Sequence, residues 1–251
     1  MNDISAEHRI DAVVLAAGKG TRMKSDLPKV LHDLCGKSLL DHVLDTVEAA
    51  GIDRTVVVVG HKADLVETRC RRDGLTFVRQ EPQLGTGHAV QVTVDDLRRG
   101  GYCVVLAGDV PLLRTETLAG LIDAARTSGA AATVLTCVVD DAAAYGRIIK
   151  DGEGRVLKIV EARDASAEEL AVGEYNTGVF CYRTDLMIEA LGHLKTDNDQ
   201  GEYYLTDTVA WLVANGHPVR AVATHDPDEV VGINSVAELE AAAGLLAKRE
   251  G

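Results

Sequence analysis

The sequence predicts an α/β protein with a doubly wound, mostly parallel sheet. Short continuous apolar runs closed by glycine recur through the first half of the chain, as strands buried on both faces do. Stretches with apolar residues at helical spacing separate them, joined by short connections, and that alternation builds parallel sheets. At 251 residues, with 46% apolar and 26% charged side chains, the chain can bury a large core without disulfides or metal.

The first strand is read at residues 11–17, Asp11-Ala12-Val13-Val14-Leu15-Ala16-Ala17, closed by Gly18. Leu39, Leu40, Val43, Leu44, Val47 and Ala50 then recur at helical spacing, and Gly51 stands where a helix would stop. Residues 55–59 are β-branched and nearly all valine, a second strand ended by Gly60. A helix at 63–72, a strand at 75–79, a helix at 87–99 and a strand at 102–107 keep the rhythm. A helix at 115–128 precedes a looser half, in which 131–139, 146–150, 156–160 and 175–182 are strand candidates with little helix between them. The charged, alanine-rich stretch 161–173 reads as a loop or short helix, either at a site mouth or simply solvated. Helices at 185–194 and 203–215 flank the polar segment 195–202, and 219–223 is strand-like. The last helix, from 235 to about 248, carries Ser235 as N-cap and Glu238 three residues on, the capping-box arrangement. The expected organisation is one domain over residues 1–233 and a helical arm over 234–251.

With 26 Lys plus Arg against 39 Asp plus Glu, the formal charge is −13, which argues against nucleic acid or anionic lipid as a partner. No apolar run approaches the roughly 20 residues of a membrane span, and Met1-Asn2-Asp3 leads into no apolar signal core. A cytoplasmic location, with no membrane contact, is expected. Cys35, Cys70, Cys103, Cys137 and Cys181 form no C-x-x-C pair and no zinc pattern. The last three sit in or beside strand-like runs, where a thiol behaves as a small hydrophobe.

Chemistry concentrates in a few runs. Gly18-Lys19-Gly20-Thr21-Arg22-Met23 follows the first strand directly, where open parallel sheets bind ligands. Met23 replaces the third glycine of the dinucleotide fingerprint, and no Walker pattern is present, so hydride transfer and P-loop hydrolysis lose support. What remains is a glycine loop whose amides can approach phosphate, with Lys19, Arg22, Lys24 and Lys29 close behind and only Asp26 against them. Such cations after a turn also fit a merely solvated surface. Asp109 emerges from the buried run Val104-Val105-Leu106-Ala107-Gly108, as a magnesium carboxylate or as an ordinary turn residue. Gln80 and Leu84-Gly85-Thr86-Gly87-His88 form a third cluster, which equally suits a turn into a helix, with His88 structural.

These residues carry a resemblance. Leu15-Ala16-Ala17-Gly18-Lys19-Gly20-Thr21-Arg22-Met23 with Leu27-Pro28-Lys29-Val30-Leu31 resembles the signature of the sugar-phosphate nucleotidyltransferases. Gln80 to Ala89, Gly108-Asp109-Val110-Pro111-Leu112, Tyr145-Gly146-Arg147-Ile148, Ile159-Val160-Glu161, Asn176-Thr177-Gly178 and Gly201-Glu202-Tyr203-Tyr204-Leu205-Thr206-Asp207 narrow the likeness to one branch. That branch is the uridyltransferase half of the bifunctional N-acetylglucosamine-1-phosphate uridyltransferase and glucosamine-1-phosphate acetyltransferase family, matched in order from about Ala12 to Asn234.

The resemblance implies a Rossmann-like nucleotidyltransferase fold with a mixed sugar-binding half, and UTP and N-acetylglucosamine 1-phosphate as substrates. It implies that Leu15, Ala16, Ala17, Gly18, Gln80, Gly85 and Thr86 surround the uridine, and that Gly146, Glu161, Asn176 and Asn234 hold the amino sugar. Asp109 and Asn234 would bind Mg2+, and Arg22 and Lys29 would meet the triphosphate and the sugar phosphate. Where the family commonly has tyrosine or another polar residue before Gly108-Asp109, this chain has Ala107, which leaves only a backbone contact there. Nothing after Asn234 shows the hexapeptide repeats of the acetyltransferase half, so only the uridyltransferase activity is expected, in a monomer or weak oligomer. The rival readings are a nucleotidyltransferase for another sugar 1-phosphate or nucleotide, and a non-catalytic nucleotide-sugar binding module.

Overall fold

The valine-rich run near the start of the chain takes the middle of the sheet. The computed structural model describes residues 9–250; Met1-Asn2-Asp3, read above as leading into no signal core, lies outside them. Strands β1 (Ile10–Ala16), β4 (Arg54–Val59), β5 (Leu75–Arg79) and β6 (Tyr102–Ala107) form a parallel block in the order β5-β4-β1-β6. Beyond β6 the order continues with β10 (Glu174–Arg183), β7 (Ala132–Val138) and β11 (Val219–Thr224). β10 runs antiparallel to both its neighbours, and β11 is parallel to β7. A hairpin of β8 (Arg147–Lys150) and β9 (Val156–Val160) hangs from the start of β10. The doubly wound, mostly parallel fold with a mixed second half is therefore present.

Both faces are covered, because successive residues of a strand point to opposite sides. Ala12, Val14 and Ala16 of β1 join the core under α1 (Leu39–Ala49), α2 (Ala63–Arg69) and α4 (Thr115–Ser128). Val13 joins the core under α3 (Thr86–Gln91), α6 (Thr184–Leu191) and α7 (Asp207–Ala214). Each fully buried valine or leucine contributes roughly 1.5–3 kcal/mol. Cys103, Cys137 and Cys181 are buried as free thiols, and burial pushes Cys181 up to about 12. A smaller core holds α8 (Val236–Glu250), whose Leu239, Ala242, Ala243 and Leu246 pack near Leu34, Leu39, Leu112 and Ile233.

Several elements differ from the sequence reading. The helix expected over 87–99 stops at Gln91 and resumes as a 3-10 turn at Val94–Asp96. Thr93 breaks it, since its hydroxyl turns back to the Val90 carbonyl at 2.7 Å and β-branched neighbours crowd the next turn. The helix expected from 203 begins at Asp207, because the backbone of Tyr203 is bonded instead to Leu84 and Gly87. The stretch 161–173 contains the short α5 (Ala167–Leu170), with a true capping box between Ser166 and Glu169. At α8 the box is only half formed. Ser235 Oγ accepts from the Glu238 N–H at 3.3 Å, but the Glu238 carboxylate accepts from Asn234 N–H at 2.6 Å. A two-residue hairpin, β2 (Asp33–Leu34) with β3 (Lys37–Ser38), had no signal in the apolar pattern.

Candidate active site

Strand register brings the motifs to one edge. Ala16 of β1 lies opposite Val59, and Leu15 opposite Ala107, so β4, β1 and β6 end level. Gly60, Gly18 and Asp109 therefore emerge together, beside the point between β1 and β6 where the strand order reverses. Because β10 runs the other way, its amino end brings Asn176 to the same edge. Gly146 and Glu161 follow, since the Asn176 N–H donates to the Gly146 carbonyl at 2.8 Å and Arg147 pairs with Val160.

Two chambers open there. The first, about 490 Å³, is lined by Leu15, Ala16, Ala17, Gly18, Lys19, Lys29, Gln80, Gly85, Thr86, Ala107 and Asp109. Gln80 is 4% exposed; its Nε2 donates to the Gly85 carbonyl at 2.9 Å and faces His88 Nδ1 at 3.2 Å. Flipping the amide would set two oxygens against each other, so the group Gln80 presents to the chamber is its acceptor oxygen. His88 is thereby structural, as its helical position suggests. Gly85 has φ +109°, and a Cβ there would lie 2.6 Å from the Tyr203 carbonyl oxygen. The glycine is required because the segment before α7 closes directly over this loop.

The second chamber, about 240 Å³, is lined by Ala107, Asp109, Tyr145, Gly146, Glu161, Asn176, Gly232 and Asn234 among others. It shares Ala107 and Asp109 with the first. Glu161 accepts from Thr206 Oγ1 at 2.9 Å, and burial raises its carboxyl above the ordinary range. Tyr145 stacks on Tyr175 with ring centroids 4.6 Å apart. Burial pushes the Tyr145 hydroxyl up, opposed by the Gly232 backbone N–H, raised further by Asp109 and Glu238, and lowered by the charge of Arg22. Arg22 is exposed and lines neither chamber, yet it stands near enough to act on this hydroxyl. Gly108 also lines neither; it is buried where a Cβ would come 3.2 Å from both the Leu15 carbonyl and Leu40.

Between the chambers Asp109 and Asn234 converge on one cation, which is the ammonium of Lys29. It is ion-paired to Asp109 Oδ2 and lies 2.9 Å from Asn234 Oδ1. Asn234 Nδ2 donates to the Gly232 carbonyl at 2.9 Å, which turns its oxygen toward the cation. Among the described residues no three His, Cys, Asp or Glu side chains gather as a metal cage. Two hard oxygens of single negative charge suit an ion that takes its other ligands from phosphates and water, as magnesium does. A larger cavity of about 700 Å³ lies between the β8–β9 hairpin and β11, lined by Lys150, Arg155, Leu157, His217 and Arg220, and holds none of the expected site residues.

Comparison with known proteins shows the family. The model of the MobA-like NTP transferase domain matches residues 12–219. The chain belongs to that family. Proteins named bifunctional protein GlmU are similar to it: that of Clostridium botulinum (strain Eklund 17B / Type B) is 46% identical over 95% of this chain, and that of Synechococcus sp. (strain RCC307) 48% over 94%. The chain spans about half, 52%, of the length of these curated relatives. Crystal structures of UDP-glucose pyrophosphorylase, with UDP-glucose and in apo form, share its fold at a TM-score of 0.79 and 17% identity. They cover 96% and 97% of this chain, and 99% and 100% of those chains are matched.

In this NTP transferase domain some residues of the site carried no individual signal in the sequence. Gln83 donates to the Ala17 carbonyl in the first chamber, and Glu202 lines it. Thr206 holds Glu161, and Gly232 lies against Asp109 and Asn234. The paired glycines 85 and 87 were the available hint to the first group, since each lies against the Tyr203 carbonyl where a side chain would collide. Among the described residues no helix is long and apolar enough to cross a membrane.

Proposed function

We propose that this chain transfers a uridylyl group from UTP to N-acetyl-α-D-glucosamine 1-phosphate, giving UDP-N-acetylglucosamine and pyrophosphate. The observation that carries the reading is a pair of chambers meeting at Asp109, one beside a glycine loop with cations and the other acidic and polar. An acceptor at Gln80 suits the N3–H of uracil, which cytosine lacks. The named relatives, bifunctional GlmU proteins, support the same substrates.

In the reaction a phosphate oxygen of the sugar phosphate attacks the α-phosphorus of UTP; the new P–O bond forms as the bond to pyrophosphate breaks. No side chain needs to become covalently attached, so catalysis consists of alignment and charge neutralisation. Leu15, Ala16, Ala17, Gly18, Gln80, Gly85 and Thr86 hold the nucleoside, and Gly146, Glu161, Asn176 and Asn234 hold the sugar. Half-buried Glu161 and buried Asn176 supply acceptors and donors for sugar hydroxyl and acetamido groups. Lys29 lines the nucleotide chamber and neutralises phosphate charge at its junction with the sugar chamber. Arg22 closes from the mouth onto the departing pyrophosphate with its fork of donors. Asp109 Oδ2 and Asn234 Oδ1 would hold Mg2+, which would supply Lewis-acid charge to the phosphate oxygens. On this reading the enzyme works in the cytoplasm. Residues 1–233 build the chambers on this reading, and 234–251 form an arm that supplies Asn234 and its support.

The test is pyrophosphate release from UTP, CTP, GTP and dTTP with several sugar 1-phosphates and Mg2+. UTP with N-acetylglucosamine 1-phosphate should exceed the other pairs by at least tenfold in kcat/KM. A different best pair would reassign specificity, and binding without release would mark a non-catalytic nucleotide-sugar module. Asp109→Ala should abolish release while the fold survives, because that side chain is held by Lys29 and not by the core.

A further inference from the structure

We propose that Lys29 is a resident stand-in cation for the metal, expelled from Asp109 and Asn234 when a divalent ion arrives and thereby released into the nucleotide chamber. The inference rests on reading the site as a metal-dependent nucleotidyltransferase. Among the described residues, Asp109 Oδ2 and Asn234 Oδ1 meet no cation other than the Lys29 ammonium, and the Lys29 and Asp109 side chains are only 14% and 16% exposed. A half-sequestered carboxylate beside a carboxamide oxygen is costly without a positive partner, which the lysine supplies.

The stem of the lysine is anchored by packing, whereas its tip is held only by its bonds to Asp109 and Asn234. Gly20, at φ +62°, lets the loop pack so closely that a Cβ there would come 2.5 Å from Lys29 Cβ. Beyond that point run a four-carbon chain and a compact ammonium, which can point to either side. The other side is the first chamber, which Lys29 also lines. An ammonium and a divalent ion cannot both occupy the space between the same two oxygens. Metal binding therefore both fills the site and turns Lys29 toward the phosphates, which makes the lysine available only in a metal-loaded enzyme. In the free enzyme the lysine acts as an intramolecular competitor: if it vacates the site in a tenth of molecules or fewer, apparent metal affinity is lowered about tenfold or more.

The test measures Mn2+ binding to the whole chain without nucleotide, by electron paramagnetic resonance, in the wild type, Lys29→Met and Lys19→Met. Lys19 gives the charge control, since it lines the first chamber but contacts neither Asp109 nor Asn234. Lys29→Met should bind Mn2+ about tenfold tighter or more, and Lys19→Met should stay within about threefold of wild type. Unchanged or weaker binding by Lys29→Met, or an equal gain in both variants, overturns the exchange. Should Lys29→Met fail to fold, reductive methylation of the wild type followed by mass spectrometry decides: Mg2+ alone should speed labelling of Lys29, and an unchanged rate refutes the proposal. Nucleotidyl transfer by the wild type beside unaltered Mn2+ binding in Lys29→Met sinks the exchange alone. Tighter binding in that variant beside a wild type that releases no pyrophosphate sinks the proposed function alone.

Discussion

Replacing Gln80 by leucine tests how the base is read. The side chain follows β5, is 4% exposed, and spends its Nε2 on the Gly85 carbonyl and His88 Nδ1. With UTP bound, loss of its oxygen removes one neutral hydrogen bond, about 1 kcal/mol. The change also strands the Gly85 carbonyl and His88 Nδ1, at about 1–3 kcal/mol for each group that water cannot reach. Those stranded groups are present with and without nucleotide, so they lower stability, while the lost hydrogen bond lowers kcat/KM for UTP by roughly fivefold. CTP starts from a different place, because its N3 lone pair already faces an acceptor in the wild type, a mismatch of about 1–3 kcal/mol that the leucine abolishes. The UTP-to-CTP ratio of kcat/KM should therefore fall about 30- to 1,000-fold, more than general damage to the loop would produce. Pyrophosphate release at saturating sugar phosphate measures both values, with a thermal melt to establish that the variant is folded. A folded Gln80→Leu enzyme whose ratio stays within about twofold of wild type would refute the assignment of the amide oxygen to the base.

Glu229 is 2% exposed and receives the Arg114 N–H at 3.3 Å, the Thr117 hydroxyl at 2.8 Å and the Thr224 hydroxyl. Glu229→Ala should cost about 3 kcal/mol or more, a Tm lower by about 6–12 °C in calorimetry, with Glu229→Gln losing less than half as much. Glu161 is held above its usual carboxyl range by burial. Between its ordinary 4.5 and that raised value the folded chain keeps a proton that the unfolded chain has lost, so stability falls as pH rises through the window. Glu161→Gln should therefore match wild type in Tm near pH 4, exceed it at about pH 7.5, and raise the KM for the sugar phosphate; equal Tm differences at both pH values would contradict this. Gly85→Ala places a methyl 2.6 Å from the Tyr203 carbonyl oxygen at φ +109°. It should raise the KM for UTP more than tenfold through displacement of the segment before α7, which a crystal structure of the variant would reveal.

The sheet was legible because its chemistry is local. The runs at 11–17, 55–59 and 102–107 are apolar at every position but Asp11 and Thr55, as the interior of a strand covered on both faces requires. Helix ends were less legible, and the break at Thr93 depends on a hydroxyl choosing the Val90 carbonyl over solvent. The candidate site divides the same way. Gly18 and Asp109 follow strands, so their shared edge is readable from strand polarity. Asn176 precedes no such landmark; it reaches the edge only because β10 is antiparallel, which depends on the long connection from β7. Glu229 follows Asp226-Pro227-Asp228 and reads as another solvated acid, although it is buried under the amino end of α4. That four cations follow the first turn was plain in the sequence, but which carboxylate Lys29 faces is set by a pairing 80 residues away.

The segment from Asp226 to Asn234 explains why two oxygens so distant in sequence can serve one cation. At its start, Asp226 pairs with Arg114 and Arg249 while Glu229 is bonded to the amino end of α4. At its end, the Ile233 N–H donates to the Asp109 carbonyl at 2.8 Å, and the Asn234 N–H to the Glu238 carboxylate at 2.6 Å. Asp109 thus fixes the neighbour of Asn234 through its main chain while presenting its carboxylate to the same ammonium as the Asn234 oxygen. The separation of the two oxygens is governed by a backbone bond and not by flexible side chains alone. On the proposed exchange, such a site would take a divalent ion in place of the ammonium without rearranging its two oxygens, and the adjustment would fall on Lys29, whose stem packs against Gly20. On the proposed reading α8 serves the site without touching either chamber as a helix, because its Glu238 accepts from the Asn234 N–H and so holds the peptide that carries Asn234.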